Sequence, residues 1–174
     1  ESGIPKFYIL IFTFYIMIIL GIDPGYGRVG YGVIKKQGGS LAYITAGCVE
    51  TQKTDSPAKR LHIIHNTLSA LIEIQKPEVV AVEQLFFAKN TKTALRVAET
   101  RGVLLLLSEI HQLRLREFTP LAVKMAVCGY GRAEKRQVQQ MVMKILALAD
   151  IPKPDDAADA LAIAITATTS IDRC

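Results

Sequence analysis

The sequence predicts an α/β domain: a mixed five-stranded sheet flanked by helices. Three observations carry this. An apolar, β-branched run ends at Pro24-Gly25 and leads through glycine-rich turns into two further strand-like segments. A separate run, "EVVAVE", is uniformly apolar between its two glutamates, as a parallel strand buried on both faces requires. The remainder of the chain alternates helical and strand patterns.

"MIILGID" is the first strand, bounded by the Pro-Gly turn. The second runs from Val29 to Lys35, Gly38-Gly39 signals a hairpin, and Leu41 to Thr51 is the third. Pro57 opens a helix with Leu61, Ile64, Leu68, Leu71 and Ile72 on one face, stopped by Pro77. "EVVAVE" follows as the fourth strand, then a long helix from about Thr91 to Gln112, and "RLREFTP" as a short fifth strand. "AEKRQVQQMVMKILALA" has Val138, Met141, Val142, Ile145 and Leu146 at helical spacing. A last helix starts near Asp155 and runs to about Thr168. Three hairpin-linked strands followed by helix, strand, helix, strand and helices is the ribonuclease H-like order.

At 174 residues and 50% apolar content, the chain has room for one domain with a sizeable core. No repeat, low-complexity tract or linker divides it, so residues 17–174 are read as a single domain. Residues 1–16 are read as a non-native or mis-called extension ahead of Met17. The apolar run at residues 7–20 spans fourteen residues; as a helix it reaches only about 21 Å, short of a roughly 30 Å hydrocarbon core. It also lacks the basic leader and cleavage site of a signal peptide. No membrane partner is expected.

The formal charge is +5, from 21 Lys+Arg against 16 Asp+Glu, which favours polyanionic partners. Cys48, Cys128 and Cys174 are odd in number and form no CxxC pair, which argues against a disulfide framework or thiolate zinc site and suits a reducing cytoplasm. His62, His65 and His111 form no metal-ligand spacing with them and read as surface or packing residues.

The acids carry the chemistry. Asp23 ends the first strand and Glu83 the fourth; if those strands are neighbours, both carboxylates emerge at one sheet edge. The last helix opens "DDAADALAIAIT". Aspartates are favoured at helix starts, where free N–H groups and the dipole attract negative charge. Asp155 is read as such a cap, and Asp156 alone could be explained that way. Asp159 lies a turn inside, between alanines, and shares a face with Asp156. Two like charges 4 Å apart repel by about 4 kcal/mol at an effective dielectric of 20. A cluster of Asp23, Glu83, Asp156 and Asp159 therefore needs protons or a cation, and no lysine or histidine within these motifs supplies one. Oxygen-only ligands suit magnesium or manganese, and two such ions could activate a water and stabilise a leaving oxygen in phosphodiester cleavage. Asp23, being central, is expected to bridge them.

"GIDPG…GYGVI", "VEQLFFAKN", "RGV", "VKMAVCGYGRAEKRQVQ" and "DDAADALAIAIT" resemble, segment after segment, the bacterial RuvC Holliday-junction resolvases, over roughly Met17 to Thr168. The resemblance implies a homodimeric, magnesium-dependent endonuclease (manganese substituting, two ions per site) that cuts four-way junction DNA symmetrically. Its catalytic, metal-binding carboxylates fall on Asp23, Glu83, Asp156 and Asp159. Family lysines at Lys124 and Lys135 are implied to act near the cut. With Arg132 and Arg136 they bracket a "GYG" segment read as a glycine-hinged loop, where cations and a helix N-terminus suit DNA phosphates. Phe86 is implied to stack on bases as the junction opens; Phe87 is a weaker candidate. "RGVLLLLSEI" places Leu104 to Leu107 all round its helix, so a second face should be covered, and the family pairs this helix across a two-fold axis. Partners implied are RuvA and RuvB, the branch-migration proteins.

Other readings are a related nuclease acting on structured or precursor RNA, a kinase or ATPase fragment using "GIDPG" on phosphate, and a silent junction binder. The chain leaves little room for a kinase's second lobe, and a pure DNA binder gains nothing from carboxylates beside phosphates.

Overall fold

A computed structural model of the chain describes residues 15–84 and 91–171, with the backbone alone for 91–93 and 170–171. Strand β1 (Ile16–Asp23) lies at the centre of a five-stranded sheet, with β2 (Arg28–Gln37) and β3 (Ser40–Glu50) on one side and β4 (Val79–Glu83) and β5 (Arg114–Phe118) on the other. The β1–β2 and β2–β3 pairs are antiparallel; β1–β4 and β4–β5 are parallel. The mixed five-stranded sheet is the one expected, and β1 and β4 are the neighbours that the placement of Asp23 and Glu83 required. β1 begins with Ile16 opposite Gln37, one residue ahead of the expected start, and the Tyr15 hydroxyl meets the Glu78 carboxylate.

The helices are α1 (Pro57–Gln75), α2 (Thr91–Ile110), α3 (Pro120–Cys128), α4 (Lys135–Ile145) and α5 (Asp155–Ile171). α1 starts where the Ser56 hydroxyl accepts from the Lys59 N–H at 3.3 Å, with Pro57 fitting the first turn. It ends as the Lys76 N–H returns to the Ile72 carbonyl at 2.8 Å, just before Pro77.

Alternate strand residues face opposite layers, as a two-residue period dictates. Leu20, Ile22, Val80 and Val82 pack with Ile64 and Leu68 of α1 and Leu104 and Leu107 of α2. Met17, Ile19, Val79 and Ala81 pack with Val123, Val138, Val142 and Leu161 of α3, α4 and α5. Carrying that alternation one step further assigns the last residues of β1 and β4, Asp23 and Glu83, to the α3–α4–α5 side.

The segment before "GYG", to which the sequence assigned no element, is helix α3: the Thr119 hydroxyl accepts from the Ala122 N–H at 3.0 Å, Pro120 opens the turn, and Lys124 sits mid-helix. One reading changes. Asp155 is not the cap of α5. It is the first helical residue, and the Ala157 N–H returns to the Pro154 carbonyl at 3.0 Å. Among the described residues, no helix is long and apolar enough to cross a membrane.

Candidate active site

β1 and β4 run in parallel with Ile22 opposite Val82, so Asp23 and Glu83 leave the sheet as neighbours. The chain then turns tightly, the Gly25 N–H donating to the Asp23 carbonyl at 3.1 Å. Arg60, buried on α1, secures this turn. Its guanidinium stacks on the Tyr26 ring at 3.7 Å and donates to the Tyr26 carbonyl at 3.0 Å and the Thr51 hydroxyl at 2.8 Å.

The other acids arrive on α5, which lies unusually close to the sheet. A Cβ on Gly30 would stand 2.1 Å from the Asp156 carbonyl oxygen, and one on Gly21 would stand 2.1 Å from that of Ala160. Only glycine permits this contact. The small residues Ala157, Ala158, Ala160 and Ala164 complete it from the helix side. The alanine-rich segment is therefore the face that lets the aspartates at its mouth reach the strand ends.

Burial first, and then the Asp159, Glu83 and Asp156 carboxylates, push the Asp23 pKa up to about 7. Burial, with Asp159 beside it, also raises Glu83. Burial raises Asp159 against the opposing pull of Lys135. Among the described residues, neither the Asp23 nor the Glu83 carboxylate takes a hydrogen bond or ion pair.

The structure corrects the expectation that the cluster holds no internal cation. Lys135 Nζ lies 2.8 Å from Asp159 Oδ2 and 2.7 Å from Asp155 Oδ2. Burial alone would lower the Lys135 ammonium, but its bonds to Asp155 and Asp159 hold it above its ordinary value. Arg28 Nη2 lies 2.7 Å from Asp156 Oδ2. Sequence motifs alone missed both pairings, because Lys135 and Arg28 come from other elements. For Arg28 a signal existed: the β1–β2 hairpin sets Asp23 opposite Gly30, two residues away.

Asp23, Glu83, Asp159, Lys124 and Lys135 line one cavity of about 200 Å³, walled by Pro120, Val123, Val138, Ala162 and Ile163. Asp156 does not line it; its side chain is held by Arg28. Arg132 and Arg136 are exposed on the α3–α4 connection and the first turn of α4, outside the lining. Phe86 and Phe87 lie outside the described residues. In chemical type the donors suit a hard divalent ion: four carboxylates, with no thiolate or imidazole among them. Their positions are not closed around one, since among the described residues no three His, Cys, Asp or Glu side chains stand at metal-holding spacing.

Residues 19–167 match the family model for the crossover junction endodeoxyribonuclease RuvC. The chain belongs to that family. It is 51% identical to a crossover junction endodeoxyribonuclease RuvC of Natranaerobius thermophilus over 149 residues, which cover 86% of this chain and 92% of the relative. It is 52% identical to that of Heliobacterium modesticaldum over 155 residues, 89% and 96% of the two chains. Thermus thermophilus RuvC, solved in complex with a Holliday junction substrate, superposes with a TM-score of 0.85 at 33% identity, over 89% of this chain and 94% of that one. RuvC-family membership and the ribonuclease H-like fold thus rest on sequence and structure together.

Proposed function

We propose that this RuvC-family chain is a structure-selective endodeoxyribonuclease that resolves four-way DNA junctions by paired, symmetric nicks in recombination and repair. One observation carries the reading: carboxylates from β1, β4 and α5 share a cavity with two lysines. Asp23, Glu83, Asp156 and Asp159 are proposed as the metal ligands, with Asp23, on the central strand, shared between two ions. Bound magnesium, or manganese in its place, would supply an activated water and stabilise the leaving oxygen.

The other roles belong to the chain's own groups. Lys124 and Lys135 face the space that a scissile phosphate would enter and would offset the charge developing there. Arg132 and Arg136, both exposed, would hold the DNA backbone without reading sequence. Phe86 is proposed to stack on an opened base.

A homodimer is supported by α2. Thr100, Leu104, Leu107 and Ser108 are buried, while Leu95, Leu106 and Ile110, on the opposite side, are 65%, 54% and 57% exposed. Pairing through that face would give two sites related by a two-fold axis, matching a near two-fold junction. A cytoplasmic location and work beside RuvA and RuvB are part of this reading. The family match and the relatives' description as endodeoxyribonucleases favour DNA over structured RNA.

The experiment is cleavage of a synthetic four-way junction and of a structured RNA, with magnesium and with chelator. Paired junction nicks that need the metal are expected; RNA cut as fast as the junction would overturn the proposal.

A further inference from the structure

Asp156 is the one proposed ligand outside the cavity, although its backbone is seated as firmly as any in the site. Gly30 packs directly beneath it, 2.1 Å separating an added Cβ from the Asp156 carbonyl oxygen and 3.0 Å from its side-chain Cβ. Its departure from the cavity is therefore a matter of side-chain direction. Arg28 accounts for that direction. The guanidinium approaches Asp156 Oδ2 at 2.7 Å and is steadied by Glu50 Oε1 at 3.5 Å and Asp155 Oδ1 at 3.9 Å.

The contact is a weak one to exchange. Asp156 Oδ2 is enclosed but finds no aligned hydrogen bond among the described residues, so the pairing rests on charge and distance. The Arg28 side chain is 45% exposed, so water can take over the guanidinium when it is released.

We infer that Arg28 is a positioning residue that holds Asp156 away from the metal site, so that full loading requires this carboxylate to trade the guanidinium for the divalent ion. The inference rests on the nuclease reading and adds to it a competitor within the chain. For Asp156 itself the change is one of side-chain direction, because Gly30 keeps the helix start against β2. Arg28 thereby sets the metal concentration at which the fourth carboxylate joins the other three.

The test is calorimetric titration of the full chain, without DNA, with manganese, for wild type, Arg28→Gln, Arg28→Lys, Asp156→Asn and the Arg28→Gln/Asp156→Asn double variant. Arg28→Gln should tighten the manganese Kd by about two- to fivefold, the range open to a part-exposed ion pair, with Arg28→Lys near wild type. In the Asp156→Asn background the same change should have no effect, since nothing remains to release. An unchanged Kd for Arg28→Gln overturns the inference. So does an equal tightening with Asp156→Asn, which would mark a general charge effect. Should Arg28→Gln fail to fold, Arg28→Met keeps the aliphatic stem and answers the same question. Wild type that neither binds manganese nor nicks junctions overturns the nuclease reading and this inference together; wild type that does both, with no coupling in the cycle, overturns the inference alone.

Discussion

Gly30 of β2 and Asp156 of α5 meet backbone to side, with no room between them for a methyl group: an added Cβ would lie 2.1 Å from the Asp156 carbonyl oxygen. The position of an acidic side chain is thus set by a glycine 126 positions earlier in the chain. Gly30→Ala must push the start of α5 away from β2. A loss of about 1–3 kcal/mol in stability is expected from such overpacking, read as a lower melting temperature. Junction nicking should fall by about a hundredfold, since a displacement near 1 Å is enough to misalign a reacting group. An alanine variant that cuts at the wild-type rate would show that the close approach is not required.

Asp23 makes stability depend on pH in a definite direction. Its pKa, raised by burial and by Asp159, Glu83 and Asp156, stands at about 7 against an ordinary 3.8. Below the ordinary value both folded and unfolded chains hold the proton, and no penalty exists. As pH rises toward 7 the unfolded chain ionises first, so stability is lost through that window, on the order of 4 kcal/mol by linkage. Glu83 and Asp159 shift in the same direction. Asp23→Asn should therefore melt higher than wild type at pH 8 without divalent ions while losing nicking activity. Melting curves at pH 5 and pH 8 check this; a wild-type advantage at pH 8 contradicts it.

Magnesium should act on the same quantity. An ion held by the carboxylates favours their charged forms, so it should raise the wild-type melting temperature at pH 8 and do so far less for Asp23→Asn. Equal shifts for the two proteins would move the metal away from Asp23.

Lys135 and Asp155 separate a working group from its support. Lys135→Ala should slow cleavage by about a hundredfold, because its ammonium faces the cavity beside Asp159. Asp155→Ala removes only one of two carboxylate partners and should slow it less than about tenfold. Single-turnover rates at saturating enzyme distinguish the two. Equal losses would put Asp155 in the machinery itself.

The exposed side of α2 makes its own prediction. Leu106→Asp sets a charge on the face bearing Leu95 and Ile110, opposite the buried Leu104 and Leu107. Sedimentation should show a monomer that remains folded, and paired nicks should give way to single ones. A dimer that persists would place the contact elsewhere.

The sheet was legible in the chain because its strands declare themselves locally. "EVVAVE" is apolar between its two glutamates and ends in a carboxylate, and Gly38-Gly39 turns β2 into β3. Helix α3 was not, since nine residues between a short strand and a glycine-rich turn carry too few turns for a helical period to stand out. The Asp155 cap also failed, because first-turn acids and capping acids answer to the same dipole, and only backbone geometry separates them. The family motifs named the acids and Lys135; they were silent on its pairing with Asp155 and Asp159, and on Arg28 beside Asp156.

The sequence by itself determined which segments are buried, and that Asp23 and Glu83 end strands while Asp156 and Asp159 belong to the first turns of the last helix, since these follow from side-chain period and local turn chemistry. Only the tertiary structure decided how far those acids close on one another. Arg28 and Lys135 reach them from separate elements, and charge acts through space without regard to distance along the chain.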